Sequence, residues 1–292
     1  MSVSNHSSPL HAMVYREHAP SEALKGVVDR YWFFRCSGPD VETTVQQCIP
    51  LGVSELIVNL RGTTRAFVNG QWERMPDTRV VGMQREPLKW VASGNCLMMG
   101  VRLLPEAAIE VFGAPLKVVD PMFMGTRELF GAGLHQALEP LVEAQDEAGA
   151  IALMEGFLLQ RIAHGNRSSV RLSSAMRQMR GHGLGFDHRT LGDRLFVCDR
   201  QAQRLFKEHL GLSPVAYHRI VRFRKAYEQA TERTIERWSD LAFDLGYSDQ
   251  AHFNRDFKSF AGVTPGSLQE GKAPFYLLRR RFSESLQGLF FL

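Results

Sequence analysis

Near the carboxyl end of the chain, polar side chains recur at helical spacing. Gln250, Asn254 and Arg255 share one face of a predicted helix, together with Ala251, and Lys258 follows one turn later. Amide side chains can make paired hydrogen bonds to adenine, and an arginine guanidinium can make them to guanine. A helix that exposes these groups would suit the major groove of duplex DNA.

The segment that carries these residues occurs twice. Residues 204–214 match residues 255–265 at an offset of 51 residues, in the frame R-x-F-K-x-x-x-G-x-[ST]-P. A repeat of this length indicates that one supersecondary unit is used twice. In the first copy, the matching exposed positions are Arg200, Gln203, Arg204 and Lys207.

The positions that the two copies share have structural roles that place the exposed side chains. Phe206 and Phe257 are predicted to lie on the buried face of a helix. Gly211 and Gly262 should end that helix, because a positive φ is cheap for glycine. A Ser-Pro or Thr-Pro pair then supplies a cap and a first-turn proline for the next helix.

The second copy follows a helix-turn-helix pattern. Residues 241–245 indicate a short amphipathic helix, Gly246 suits the turn, and Ser248 or Asp249 suits the cap of the second helix. Between the two copies, residues 214–232 have apolar side chains at helical spacing, which predicts a single linking helix.

The first copy has the same outline, but the residues at its turn, cap and anchor positions are less typical. Phe196 stands where the turn glycine is expected, Cys198 where a capping residue is expected, and Ala202 where a larger apolar anchor is usual.

Residues 170–269 closely resemble the AraC-type (AraC/XylS family) DNA-binding domain, above all in the second-unit pattern A-x-x-x-G-Y-S-D-Q-A-H-F-x-R-x-F-K-x-x-x-G-x-T-P. The resemblance implies seven helices, with two recognition helices in successive major grooves about 34 Å apart. It implies groove or base contacts at Arg200, Gln203, Arg204, Gln250, Ala251, Asn254 and Arg255. Lys207 and Lys258 would contact phosphates. Because the first copy departs from the pattern, we expect base reading to depend mainly on the second.

The distribution of charge agrees with a DNA-binding second half. Residues 1–165 contain 14 Lys and Arg against 18 Asp and Glu, whereas residues 166–292 contain 21 against 13. Such an asymmetry is a hint of nucleic-acid binding, although a solvated basic surface would give the same count.

The first half is predicted to be rich in β-structure. Strand-like segments occur at residues 41–48, 55–60, 65–73, 78–82 and 95–103, and Asn69-Gly70 is a typical hairpin turn. Helical patterns follow at residues 106–112 and 133–162. In the second of these, an apolar stripe either packs on its own domain or forms a dimer seam; its members are Ile151, Met154, Leu158 and Ile162.

Residues 49–60, 80–84 and 100–108 resemble the cupin-like domain that often precedes an AraC-type module, although Leu51 replaces an acidic residue that is frequent there. The resemblance implies a sensor or dimerisation domain. We therefore predict an α+β fold class, with a β-rich cupin-like N-terminal domain followed by an all-α double helix-turn-helix domain. The predicted boundaries are 13–165 for the first domain, 166–271 for the second and 272–292 for a C-terminal tail, with a linker at residues 163–170.

An enzyme with a cupin-like domain fused to a DNA-binding module is the alternative. A cupin metal site needs two or three histidines and a carboxylate on neighbouring strands. The histidines of the first half, His6, His11, His18, His135 and His164, all lie outside the five strand-like segments. The cysteines are scattered and favour reduced thiols rather than a metal cluster. We therefore expect no catalytic residue, cofactor or metal ion.

A small-molecule pocket inside the β-rich domain is a further hypothesis. Its candidate walls are Trp32, Phe33, Phe67, Trp72, Trp90 and Met99, all of which could equally be core residues. Arg61 and Arg102 are candidates to hold an anionic ligand, with surface ion pairing as the alternative.

The expected partner is double-stranded DNA, and RNA polymerase, a small-molecule effector and a second copy of the chain are further candidates. No apolar run approaches the roughly 20 residues of a membrane span. Residues 1–10 lack a basic stretch followed by an apolar one. We therefore expect a cytoplasmic protein without a membrane partner.

Overall fold

The structure is a computed structural model of the 292-residue chain. It describes residues 12–38, 42–112, 115, 123–144, 146–163, 170–182, 191–232 and 234–269. The predicted tail and most of the predicted linker lie outside the described residues, as do His6, His11 and His164.

Two antiparallel sheets form the first half of the chain. The larger sheet has the strand order β1-β2-β9-β4-β7-β10 and the smaller one has the order β3-β8-β5-β6. The strands are β1 (Ala12–His18), β2 (Val28–Ser37), β3 (Gln46–Cys48), β4 (Ser54–Arg61), β5 (Thr64–Val68), β6 (Gln71–Arg74), β7 (Thr78–Val81), β8 (Leu88–Ala92), β9 (Cys96–Leu103) and β10 (Phe123–Gly125).

Most predicted strands are confirmed, with two differences. Residues 65–73 form two strands rather than one, joined by Asn69 and Gly70 at φ values of 50° and 83°. Of residues 41–48, only Gln46–Cys48 is a strand. The sequence pattern also missed β1, β2, β8 and β10. In β2 both Trp32 and Phe33 are buried, so this strand has neighbours on both faces and no polar alternation.

The larger sheet separates two apolar layers. Ile57 and Met98 point into the space between the sheets, while their sequence neighbours Val58 and Met99 join the core on the opposite face. This alternation follows from the two-residue period of a strand.

Helices cover the outer face of the larger sheet and form the second half of the described chain. They are α1 (Pro105–Phe112), α2 (Thr126–Phe130), α3 (Ala132–Gln136), α4 (Glu147–Ala163), α5 (Val170–His182), α6 (Leu191–Leu195), α7 (Asp199–Leu210), α8 (Pro214–Glu232), α9 (Trp238–Asp244), α10 (Gln250–Ala261) and α11 (Pro265–Gln269). The predicted fold class, a β-rich region followed by an all-helical one, is confirmed. The cupin-like assignment of the first region stays a prediction.

The apolar stripe of α4 packs within the chain. Met154 and Leu158 are buried in the main core, and Ile151 and Ile162 pack partly against it. The dimer seam is therefore not needed to cover this stripe. Residues 133–162 are not one helix, because α3 and a 3-10 helix (Glu139–Glu143) precede α4.

The two halves also contact each other through polar groups. Arg224 of α8 donates from Nη2 to both carboxylate oxygens of Asp29, at 2.9 and 3.0 Å, and from Nη1 to the carbonyl of Leu51 at 3.5 Å. Gln47 donates from Nε2 to the carbonyl of Ala261 at 3.3 Å. The linking helix therefore contacts the β-rich region directly.

None of the helices among the described residues is long and apolar enough to cross a membrane.

Candidate nucleic-acid interface

The second helix-turn-helix unit consists of α9, a tight turn and α10. Gly246 has a φ of 67°, and the next amide, that of Tyr247, donates to the carbonyl of Ala242 at 3.0 Å. Asp249 caps α10 by accepting a hydrogen bond from the backbone N–H of His252 at 2.7 Å. This hydrogen bond lowers the pKa of the Asp249 carboxyl group. The capping residue is thus Asp249, one of the two predicted candidates.

The helix α10 has one buried and one exposed face. Phe253, Phe257 and Phe260 are buried, and the ring of Phe253 stacks on Trp238 with the centroids 6.1 Å apart. The residues predicted to contact DNA lie on the other face: Gln250, Ala251, Arg255 and Lys258 are exposed and Asn254 is half-buried. The amphipathic pattern therefore places the predicted groups toward solvent, as a recognition helix requires.

A buried carboxylate fixes α10 to the linking helix. Asp256 is 4% exposed and accepts hydrogen bonds from Arg219 of α8, at 2.6 Å from Nη2 and 3.2 Å from Nε. Arg222, also on α8, has Nη2 at 3.8 Å from Asp256. Its Nη1 donates to the carbonyl of Gly246 at 3.0 Å, and its guanidinium lies 4.2 Å from the centre of the Tyr247 ring. Both the turn and the recognition helix are thus held by one neighbouring element.

Sequence reasoning missed this set of residues. Asp256 follows Phe253 by three residues and precedes Phe257, so it falls on the apolar face of the helix. A charged residue at such a position indicates a buried partner. The sequence does not show which of the arginines supplies it.

The first helix-turn-helix unit is built less firmly, as its sequence predicted. Phe196 occupies the turn with a φ of 56° and is 81% exposed, although this conformation favours glycine. Cys198 is the N-cap of α7 and makes no capping hydrogen bond through its side chain. Ala202 replaces the large anchor, and Leu205 stands at the position that matches Asp256.

The candidate contact residues of the first unit nevertheless face solvent. Arg200, Gln203, Arg204 and Lys207 are all exposed. The Nε atom of Arg204 lies 3.9 Å from Glu208 of the same helix, a loose pair that DNA could displace. Both recognition helices end as predicted, at glycines in the left-handed conformation.

The space between the two sheets contains a cavity that includes part of the pocket predicted from sequence. Trp32, Trp90 and Arg102 line it. Phe33 and Met99 do not, because they point to the opposite face of the larger sheet. Three other predicted members also lie elsewhere: Phe67 is 40% exposed, Trp72 packs beside it, and Arg61 is exposed.

Arg102 is not free to bind a ligand in this state. It donates to Glu17 at 2.7 Å, to Glu55 at 2.8 Å and to the hydroxyl of Tyr15 at 2.8 Å. These acidic neighbours raise its pKa even though burial opposes the charge. The ion pairing foreseen as the alternative for Arg102 is therefore present, but it is largely buried.

Within the described part of the chain, no group of three or more His, Cys, Asp or Glu side chains is arranged to hold a metal ion. His18 ends β1, where Nε2 lies 2.9 Å from Glu147, and His135 pairs through Nδ1 with Thr126 Oγ1 at 2.9 Å.

Comparison with known proteins identifies the second half of the chain. Residues 191–271 match the family model of a helix-turn-helix domain, and residues 16–121 match a domain of unknown function (DUF6597). Residues 191–271 form a helix-turn-helix domain of the AraC type. The resemblance drawn from the repeat is thereby confirmed, and the contact residues assigned within this AraC-type domain stay predictions.

The curated relatives cover only part of this chain. The HTH-type transcriptional regulator GlxA of Rhizobium meliloti is 34% identical over 25% of this chain and 22% of its own length. The HTH-type transcriptional activator RhaS of an Enterobacter species is 26% identical over 44% of this chain and 50% of its own length. The chain thus spans half or less of these two relatives.

Matches among solved structures include ToxT from Vibrio cholerae, at 8% identity and a TM-score of 0.47, over 89% of this chain and 98% of that one. A Chromobacterium violaceum transcriptional regulator described as an AraC-type DNA-binding domain-containing protein matches 37% of this chain and 96% of its own, at 23% identity and a TM-score of 0.34.

Proposed function

We propose that the protein is a sequence-specific transcription regulator of the AraC type, which binds major grooves of duplex DNA with two helix-turn-helix units. The observation that carries the proposal is α10. This helix exposes amide and guanidinium side chains on one face while Asp256 and three phenylalanines anchor the other. An anchored helix can present such groups in a defined orientation, which paired contacts to bases require.

In this proposal the two units make different kinds of contact with DNA. Gln250, Ala251, Asn254 and Arg255 meet base edges, and Lys258 meets a phosphate. In the first unit, Arg200, Gln203, Arg204 and Lys207 mainly hold the DNA backbone. The missing cap and missing carboxylate anchor of α7 support this division, because a less constrained helix positions its side chains less precisely.

The β-rich region would act as a sensor or dimerisation domain, with domain limits at 13–165 and 166–271 and a tail at 272–292. Its contacts with α8 support a regulatory role, since α8 also carries the arginines that anchor α10. The proposal includes a cytoplasmic location, and it includes no catalytic step, cofactor or metal ion. A small-molecule effector, a second copy of the chain and RNA polymerase remain candidate partners.

The proposal is tested by selecting duplexes from a random pool with the full-length protein and then measuring affinity at several salt concentrations. We expect Arg255→Ala to lose about 1–3 kcal/mol at one base pair and to relax specificity there. Lys258→Ala should weaken binding to all sequences alike and reduce the salt slope by about one.

Lys89→Ala is the matched control, because it removes one exposed positive charge from the β-rich region. It should bind the selected duplex as the unmodified protein does. If the protein selects no duplex, or if Arg255→Ala and Lys258→Ala bind DNA unchanged at every salt concentration, the proposed function is wrong.

A further inference from the structure

Both recognition helices end against side chains of the β-rich region. Gln47 of β3 donates from Nε2 to the carbonyl of Ala261, the last residue of α10, at 3.3 Å. Arg85, which lies between β7 and β8, donates from Nη2 to the carbonyl of Gly211, the C-cap of α7. The β-rich region therefore contacts the same end of both helices, although the two helices belong to different helix-turn-helix units.

The carbonyl groups at these helix ends need partners from outside the helix. The last carbonyls of a helix have no intrahelical N–H to accept from, and they carry the negative end of the helix dipole. The amide of Gln47 supplies an N–H group at α10, and the guanidinium of Arg85 supplies both an N–H group and a positive charge at α7. The two contacts therefore match the chemistry of the ends that they touch.

The contact at the end of α10 is close as well as polar. Gly262 has a φ of 75°, and a Cβ atom built on it would lie 3.0 Å from Nε2 of Gln47. The absence of a side chain at residue 262 thus serves two purposes. It permits the left-handed conformation that ends the helix, and it lets Gln47 approach the backbone there.

A third contact involves the linking helix. A Cβ atom on Gly52 would lie 3.2 Å from Cγ2 of Ile220, and Arg224 pairs with Asp29, so the β-rich region also packs on α8. Both recognition helices pack on α8 as well. Packing on one helix leaves each unit able to tilt about it, whereas additional contacts at the ends of α7 and α10 oppose that tilt.

These contacts leave the predicted DNA-binding faces uncovered. The side chains of Arg200 and Lys207 on α7 are exposed, as are those of Arg255 and Lys258 on α10. The β-rich region thus holds the recognition helices by their C-terminal ends while the groups predicted to contact DNA face solvent. Such an arrangement favours a role in positioning the helices over a role in blocking them.

We propose that Gln47 and Arg85 are positioning residues that fix the spacing and tilt of the two recognition helices, so that one chain engages two successive major grooves at once. This inference rests on the proposed function and assigns part of the DNA affinity to two side chains of the β-rich region. When two units are held at matching spacing, the second contact forms at a high effective concentration. Looser holding lowers that effective concentration and leaves each single contact unchanged.

The experiment compares two duplexes that carry the selected sequence. The longer duplex has about 20 base pairs and spans two successive major grooves, and the shorter one spans only the groove of the second unit. Each is titrated with the full-length protein in which Gln47 and Arg85 are both replaced by alanine. We expect binding to the longer duplex to weaken about five- to tenfold, and binding to the shorter one to stay within about twofold of the parent. A general loss of structure would weaken both.

The matched control replaces one glutamine and one arginine elsewhere in the same sheet. Gln71→Ala combined with Arg74→Ala changes two exposed residues of β6. This variant should bind both duplexes as the parent does. If the variant of Gln47 and Arg85 does not fold, Arg85→Ala alone decides, because the Arg85 side chain is exposed; it should weaken binding in the same direction.

A measurement without DNA tests the contacts separately. Spin labels on the exposed Cys198 and on Ser259→Cys report the distance between α7 and α10. Cys48 is replaced by serine in this protein, and Cys36 and Cys96 are buried. Loss of the contacts from Gln47 and Arg85 should broaden the distribution of this distance.

The outcomes separate this inference from the proposed function. If the parent binds no duplex, the proposed function is wrong and the positioning role is wrong with it. If the parent binds the selected duplex, three results would each overturn the positioning role alone. They are equal weakening toward both duplexes, unchanged or tighter binding to the longer duplex, and an unchanged distance distribution.

Discussion

Asp256 offers the sharpest test of how the second recognition helix is held. Asp256→Asn keeps the size of the side chain and removes its charge. In the structure this carboxylate accepts two hydrogen bonds from Arg219 and lies 3.8 Å from Arg222, all beneath the exposed face of α10. The variant therefore weakens the attachment of α10 to α8 without altering any side chain proposed to touch DNA.

The size of the effect follows from the burial of the three partners. A hydrogen bond to a charged group contributes about 1.5–3 kcal/mol, and the asparagine can still accept one hydrogen bond through its amide oxygen. The Arg219 side chain is 43% exposed and can turn to water, whereas that of Arg222 is 12% exposed and stays beneath the turn. We therefore expect a loss of about 1.5–3 kcal/mol in the free energy of unfolding, well below that of a fully buried pair.

Urea denaturation of the full-length protein measures this loss, and titration with the selected duplex measures its consequence for binding. DNA affinity should fall for all sequences, because α10 is less firmly positioned. Asp240→Asn, at an exposed carboxylate of α9, is the matched control and should change stability by less than about 0.5 kcal/mol. If Asp256→Asn unfolds at the same urea concentration as the parent and binds DNA equally well, the anchoring role is refuted.

Three further predictions concern the first unit, the contact between the two halves and the sheet interior. Arg204→Ala should cost less DNA affinity than Arg255→Ala in the same titration, and the reverse order would contradict the unequal division of the two units. Burial tends to raise the pKa of Asp29, but the charges of Arg224, Arg102 and Arg30 and the hydrogen bond from Arg224 together outweigh it, and the pKa is lowered below its ordinary value of 3.8. The stability that this carboxylate contributes is therefore present above about pH 4 and is lost as the pH falls further. The free energy of unfolding of Asp29→Asn should therefore depend less steeply on pH in the acid range than that of the parent protein. Parallel curves for variant and parent would argue against this role of Asp29. Gly100→Ala would place a Cβ atom 2.2 Å from an indole ring and should cost about 1–3 kcal/mol in thermal unfolding, whereas an unchanged midpoint would show that the ring can move freely.

Much of the second half could be predicted because its signals are local. A glycine such as Gly262 ends a helix through its own backbone freedom, and Asp249 caps a helix through an amide three residues away. The linking helix, Pro214–Glu232, has the predicted limits. Each of these features depends on interactions within a few residues, which spacing along the chain reveals directly.

Strands covered on both faces were harder to find. Residues of β2 lack the alternation of a strand with one wet face, because the two sheets and the helices enclose them from both sides. Only the assembled layers show why residues 31–34 of β2 are aromatic and buried without a break. The same holds for Phe33 and Met99, whose side of the sheet depends on strand register and cannot be read from residue type.

The sequence by itself therefore determined the double helix-turn-helix unit, its exposed polar face and the atypical turn and cap residues of the first copy. Tertiary structure alone decided which charges meet. Asp256 meets Arg219 across 37 positions, and Asp29 meets Arg224 across 195. Arg79 instead comes to lie in a cavity without a carboxylate partner among the described residues. Such pairings depend on how helices and strands pack. Packing brings together segments that are far apart along the chain, and the sequence between them does not predict the contact.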